Sequence, residues 1–143
     1  MAAARALATG ARVIERALGD MTLPQFRVLG VVASSPERAS RIAERAAVSR
    51  PSLSGVLDGL ETRRWVRRSV VDGDRRGVRL DVTAAGRHAL SAACTAAGGA
   101  VSEIVDELEP DDRAAALRGL VLLAQAFERR GARRAETEGT AAR

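Results

Sequence analysis

The chain has 143 residues, 46% hydrophobic and 29% charged, which is enough for one domain with a real core and hardly for two. Its single cysteine, Cys94, excludes an intramolecular disulfide and suits a reducing cytoplasm. The formal net charge is +5, and every basic residue is an arginine because the chain has no lysine. Neither secretion nor a membrane is expected. Arg5, Arg12, Glu15 and Arg16 interrupt the apolar run of the N-terminal segment. The longest apolar stretch, around LVLLAQAF, is far below the ~20 residues of a membrane-spanning helix.

The elements follow in chain order. Ala2 to Leu18 carries Leu7, Val13, Ile14 and Leu18 at helical spacing and ends at Gly19. Thr22 with Gln25 forms a capping box, and Pro24 sits in the first turn of a second helix that runs to about Ser34 and buries Phe26, Leu29 and Val32 or Ala33. SSPER is a loop, and a short third helix from Ser40 to Ala47 presents Ile42, Ala43 and Ala46. After the turn Ala47, Val48, Ser49, a fourth helix is capped by Ser49 with Pro51 in its first turn. Leu53, Val56, Leu57 and Leu60 form its apolar face. Pro51, Ser54, Gly55, Asp58 and Thr62 lie opposite, and no core requires that small, polar face.

Trp65 to Val71 and Val78 to Val82 alternate apolar and polar residues around the tip DGDRRG, the pattern of a β-hairpin. Thr83 caps a long fifth helix with the stripe Leu90, Cys94, Ala97, Val101, Ile104 or Val105, and Leu108, softened at Gly98-Gly99. A last helix opens at Asp111 or Asp112 and bears Leu117, Leu120, Val121, Ala124 and Phe127. From Arg130 onward no apolar face remains, and a frayed tail is expected.

Charge distribution points to the partner. Arg63 to Arg79 holds seven arginines and two aspartates, whereas the remaining chain balances sixteen arginines against sixteen acids. The whole net charge therefore lies in the stretch that contains the hairpin. Such a focused field attracts polyanions, with double-stranded DNA the default partner. Helices three and four read as a helix-turn-helix, and an arginine-tipped hairpin directly after them makes a winged helix. The wing tip is placed to enter the minor groove. A solvated charge run, a plain solubilising hairpin and a winged helix used only for protein contacts are the competing readings. Calcium at Asp72, Asp74 and Gly77 is rejected because Arg76 and Thr83 stand where oxygen ligands are required. His88 is the only histidine and reads as a surface residue, so neither a metal site nor catalytic chemistry is expected, and no cofactor is implied.

The segments TLPQFRVL, RIAERAAVSRPSLSGVLDGLE, WVRR and DRRGV, with the spacing of Asp74, Arg76 and Thr83, resemble the multiple-antibiotic-resistance regulator (MarR) family. The resemblance implies a mainly α (α+β) fold, a winged helix-turn-helix with N- and C-terminal dimerisation helices in the order α-α-α-α-β-β-α-α. It implies a dimerisation helix over 1–20, a DNA-binding lobe over 21–88 with its recognition helix at about 49–64 and its wing at about 65–82, dimerisation helices over 83–130, and the tail over 131–143. It further implies a cytoplasmic homodimer that represses at a palindromic promoter site and is released by a small aromatic or anionic effector. The expected DNA-binding residues are Arg41, Ser49, Arg50, Pro51, Ser52, Ser54, Gly55, Asp74, Arg75, Arg76 and Arg79. Within that set, Asp74 matches a wing aspartate that braces an arginine, and Arg76 matches the tip arginine. Arg12, Arg16 and Arg27 are candidates for holding an anionic effector. Arg64 stands where the family usually has glycine, so the turn after the fourth helix is expected to differ. The first helix also lacks the cysteine that the family's peroxide sensors use. Cys94 is expected to be packed rather than reactive.

Overall fold

A computed structural model describes residues 1–34, 39–70 and 78–141. Its elements are α1 (Ala2–Ala17), α2 (Leu23–Ser34), α3 (Ala39–Arg45), α4 (Arg50–Thr62), β1 (Val66–Val70), β2 (Val78–Val82), α5 (Ala84–Asp106) and α6 (Pro110–Ala141). The order is the one expected.

Local chemistry sets the boundaries. α1 stops before Gly19, whose φ of +60° suits a residue without a side chain. The capping box forms as expected: the Thr22 N–H donates to Gln25 Oε1 at 3.0 Å, and the Gln25 N–H donates to Thr22 Oγ1 at 3.3 Å. Ser49 caps α4, with its Oγ accepting from the Ser52 N–H at 3.3 Å. Thr83 caps α5 by accepting from the Gly86 N–H at 3.0 Å, and its hydroxyl donates to the Arg64 carbonyl at 2.7 Å. That residue ties the end of the hairpin back to its beginning. Gly86 completes the joint, since a Cβ there would run into the Trp65 carbonyl.

The core gathers where these elements meet. Leu29, Ile42, Leu60, Leu80 and Val28 are its largest fully buried side chains, contributed by α2, α3, α4 and β2. Around them pack Leu53 and Leu57 of α4 and Val66 of β1, while Leu18 and Met21 close the end below α1. The antiparallel hairpin pairs Val66 with Val82, Arg67 with Asp81, Arg68 with Leu80 and Ser69 with Arg79. Val66 and Leu80 therefore face the core, while Arg67, Ser69, Arg79 and Asp81 share the outer face.

Several expectations need correction. On α2, Val28 is buried with Leu29 and Val32, Phe26 is only partly buried, and Ala33 is exposed. On α5 the buried residues are Gly86, Ala93, Ala97 and Val105, so Ala97 and Val105 of the expected stripe are packed and Leu90 is partly buried, but Ala93 takes the place expected for Cys94. Cys94 consequently lies exposed, as do Ile104 and Leu108. Alanine is small enough to let α5 lie close to α1, and the larger side chains beside it are displaced outward. α6 also runs on past Arg130 to Ala141, where a frayed tail was expected. Alanine, arginine and glutamate are strong helix formers and sustain the backbone without an apolar face.

Candidate nucleic-acid interface

The joint between α3 and α4 is made by backbone hydrogen bonds from the N–H groups of Ala46, Ala47 and Val48 to the carbonyls of Ile42, Glu44 and Ala43. Ala47 adopts φ +51° to make the turn. α4 then starts at the surface with Ser49, Arg50, Pro51, Ser52, Ser54 and Gly55 all exposed, and Leu53 alone turned inward. The hydroxyls of Ser49 and Ser52 lie 2.6 Å apart, so the first turn presents a compact polar end with amide hydrogens outward. Arg50 pairs with Glu44 of α3 at 3.6 Å while its side chain stays 70% exposed. Arg41 is exposed on α3. The expected DNA-binding residues of the helix-turn-helix are thus all exposed.

Of the wing residues, Arg79 lies exposed on β2, whereas Asp74, Arg75 and Arg76 fall outside the described residues. The described part of the wing holds a brace that the sequence reading missed. The Ser69 hydroxyl donates to Asp81 Oδ2 at 2.8 Å, and Arg79 Nε donates to Asp81 Oδ1 at 2.9 Å. The Ser69 hydrogen bond leads in holding the Asp81 carboxyl below its ordinary value, and the charges of Arg79 and Arg67 act in the same direction against partial desolvation. The spacing Arg79-x-Asp81 on a period-two strand was the signal available for it. A second missed cluster lies at the root of the wing. Arg68 Nε reaches Glu61 Oε1 at 2.7 Å, and its NH2 lies 3.7 Å from Asp58 Oδ1. The Arg63 guanidinium lies 4.8 Å from the centre of the Trp65 ring.

An open cavity of about 420 Å3 adjoins the wing on the side of α2. Val32, Ala33 and Ser34 form one wall, with Arg67, Arg79, Asp81 and Arg87 among the residues opposite. Three arginines against one carboxylate make it cationic. None of Arg12, Arg16 and Arg27 is among its lining residues. His88 is exposed one helical turn past the wing. No helix of the described residues is long and apolar enough to cross a membrane, and no group of three or more metal-ligating side chains occurs among them.

A helix-turn-helix whose second helix opens on small polar residues, followed directly by an antiparallel wing, defines a winged-helix DNA-binding protein. Comparison with known proteins narrows the class. The model of the MarR family matches residues 19–77. The uncharacterised HTH-type transcriptional regulator YfiV of Bacillus subtilis is 29% identical over 110 residues, which span 76% of this chain and 69% of that protein. The transcriptional repressor CouR, solved bound to a 23-mer DNA duplex, superposes with a TM-score of 0.72 at 28% identity, covering 86% of this chain and 89% of CouR. A Mycobacterium tuberculosis MarR family protein in complex with salicylic acid gives a TM-score of 0.70 at 25% identity, over 83% of this chain and 90% of that one. Over residues 19–77 the chain is thus similar to the MarR family, and its fold is that of solved winged-helix proteins described as MarR family members or as a transcriptional repressor.

Proposed function

We propose that this regulator acts in the cytoplasm as a homodimeric repressor of a palindromic promoter site and is released from it by a small anionic effector. The observation that carries the reading is the exposed, Ser49-capped start of α4, followed by the Arg63 to Arg79 stretch that leads into the wing and holds the chain's entire net charge. In this reading α4 lies in the major groove. Arg50, Ser52, Ser54 and Gly55 approach base edges, and Ser49 and Pro51 meet the adjoining backbone. Arg41 and Arg79 bind phosphate, and the wing tip enters the minor groove through Arg76, with Asp74 and Arg75 beside it. α1, α5 and α6 form the dimer, and two-fold symmetry then requires two inverted half-sites about one helical turn apart.

Release by an anion draws support from the relative bound to salicylic acid and from the cationic cavity beside the wing. An anion there would pair with Arg67, Arg79 or Arg87 and compete with DNA for the same charges. The test is selection of bound duplexes from a random library. Recovery of inverted half-sites about 10 base pairs apart is expected, with binding weakened by millimolar salicylate. Recovery of no enriched sequence would favour a winged helix used for protein contacts.

A further inference from the structure

The recognition surface contains a charge conflict. Asp58 lies four residues after Ser54 on the outward face of α4, roughly 6 Å further along the helix axis. Its side chain is 70% exposed, and Glu61 follows one turn on at 29%. A major groove about 12 Å wide sets phosphates on both sides of any helix lying in it. Free carboxylates at that position would face the phosphates within a screening length. Arg68 is the described cation against them. Strand alternation explains how it arrives there: Arg68 lies on the same side of β1 as the buried Val66, toward α4, while Arg67 and Ser69 lie on the outer face.

We propose that Arg68 is a positioning residue for DNA binding. It touches no DNA; by bridging Glu61 and Asp58 it draws both carboxylates back toward the root of the wing and fixes the angle between wing and recognition helix. The inference rests on α4 as the recognition helix, and it adds a residue outside the expected DNA-contacting set. The pair geometry suits the role. An arginine fork can hold two carboxylates at once, which a lysine cannot do with the same directionality. Half of the Arg68 side chain is exposed, so the bridge contributes little to global stability, and its loss is compatible with an intact fold.

The experiment is a double-mutant cycle on the full-length protein, with DNA affinity measured on one duplex over a salt series. Detectable binding by the wild type, whatever duplex is used, establishes the DNA-binding reading separately. Arg68→Met is expected to weaken binding about tenfold at low salt, with the thermal midpoint and oligomeric mass unchanged. Asp58→Asn with Glu61→Gln is expected to bind at least as tightly as wild type. In that neutral background Arg68→Met should cost less than half of its original fold-loss, because no carboxylate remains to be released toward the groove. An equal loss in both backgrounds overturns the proposal, since Arg68 would then act on DNA through its own charge. Weaker binding by the Asp58→Asn/Glu61→Gln protein also overturns it, because the carboxylates would then be reading bases rather than being held away from phosphate. Arg68→Gln serves as a second variant if Arg68→Met lowers the thermal midpoint, and the same comparison of backgrounds decides.

Discussion

Arg64 leaves α4 with a φ of +57°, in the left-handed region that a side chain disfavours by about 1 kcal/mol or more. The wing cannot start without that reversal, because the Arg64 carbonyl must turn to accept from Thr83 Oγ1 at 2.7 Å. The turn keeps the backbone shape a glycine would favour, although an arginine occupies it. Arg64→Gly should therefore stabilise the protein by about 0.5–1 kcal/mol, raising the melting temperature by roughly 1–4 °C. A lower melting temperature would show that the guanidinium makes compensating contacts. At the wing tip, Arg76 is expected from the sequence to probe the minor groove by charge and shape. Arg76→Ala should weaken operator binding by about 1–3 kcal/mol. It should also lower the slope of log affinity against log salt by about one per subunit. Unchanged affinity and slope in a titration over salt would remove the wing tip from the interface.

Two elements depend on single polar side chains. Ser49 satisfies the Ser52 amide at the start of α4, and Ser49→Ala should cost about 1 kcal/mol of stability while loosening the turn nearest DNA. Chemical denaturation and operator titration of the same variant would expose a cap without that role, as no change in either. In the wing, Asp81 has its carboxyl held below 3.8, first by Ser69. A carboxylate depressed in the folded state stabilises fully above its unfolded value, and that contribution disappears as pH falls through the folded value. The melting-temperature gap between wild type and Asp81→Asn should therefore be present at neutral pH and close below about pH 3.8. A gap that is independent of pH would mean the carboxylate charge is not involved. These elements also divide what sequence can and cannot reveal. Caps and the hairpin were legible because they depend on residues a few positions apart, as with Thr22 and Gln25, Ser49 and Ser52, or the alternation around Leu80. The packed side of α5 was not legible, because Ala93 and Cys94 are both small and which one faces α1 is decided by the distant partner. The bridge from Arg68 to Asp58 and Glu61 was hidden for the same reason: a turn in the backbone joins residues on a strand and a helix.

At the scale of the whole molecule, the C-terminal helix carries a hydrophobic face that its own chain leaves open. Leu117, Leu120, Val121, Leu123 and Phe127 of α6 are between 42% and 62% exposed, with Ile104 of α5 and Leu108 just after it similarly open. At ~100° per residue the five α6 side chains fall within one arc of the helix, and Leu122 stands apart from them. A contiguous apolar strip of this kind on a regulator calls for a partner surface, and in the proposed dimer a second copy would supply one by two-fold symmetry. The same pairing would then set the DNA chemistry. Two recognition helices held in one rigid body bind the second half-site as an intramolecular event, adding on the order of 10²–10⁴ to the apparent affinity. Leu120→Glu with Phe127→Glu places two charges on the strip without touching α4 or the wing. In light scattering the wild type is expected at twice the 15.1 kDa chain mass, and the double variant at the chain mass itself. The variant should retain its helical content by circular dichroism, yet lose most of its preference for a two-half-site duplex over a single half-site. A variant that remains dimeric would place the interface elsewhere. A monomer that keeps the full preference would mean that the two half-sites are not bridged by one dimer, and the palindromic reading would fail with it.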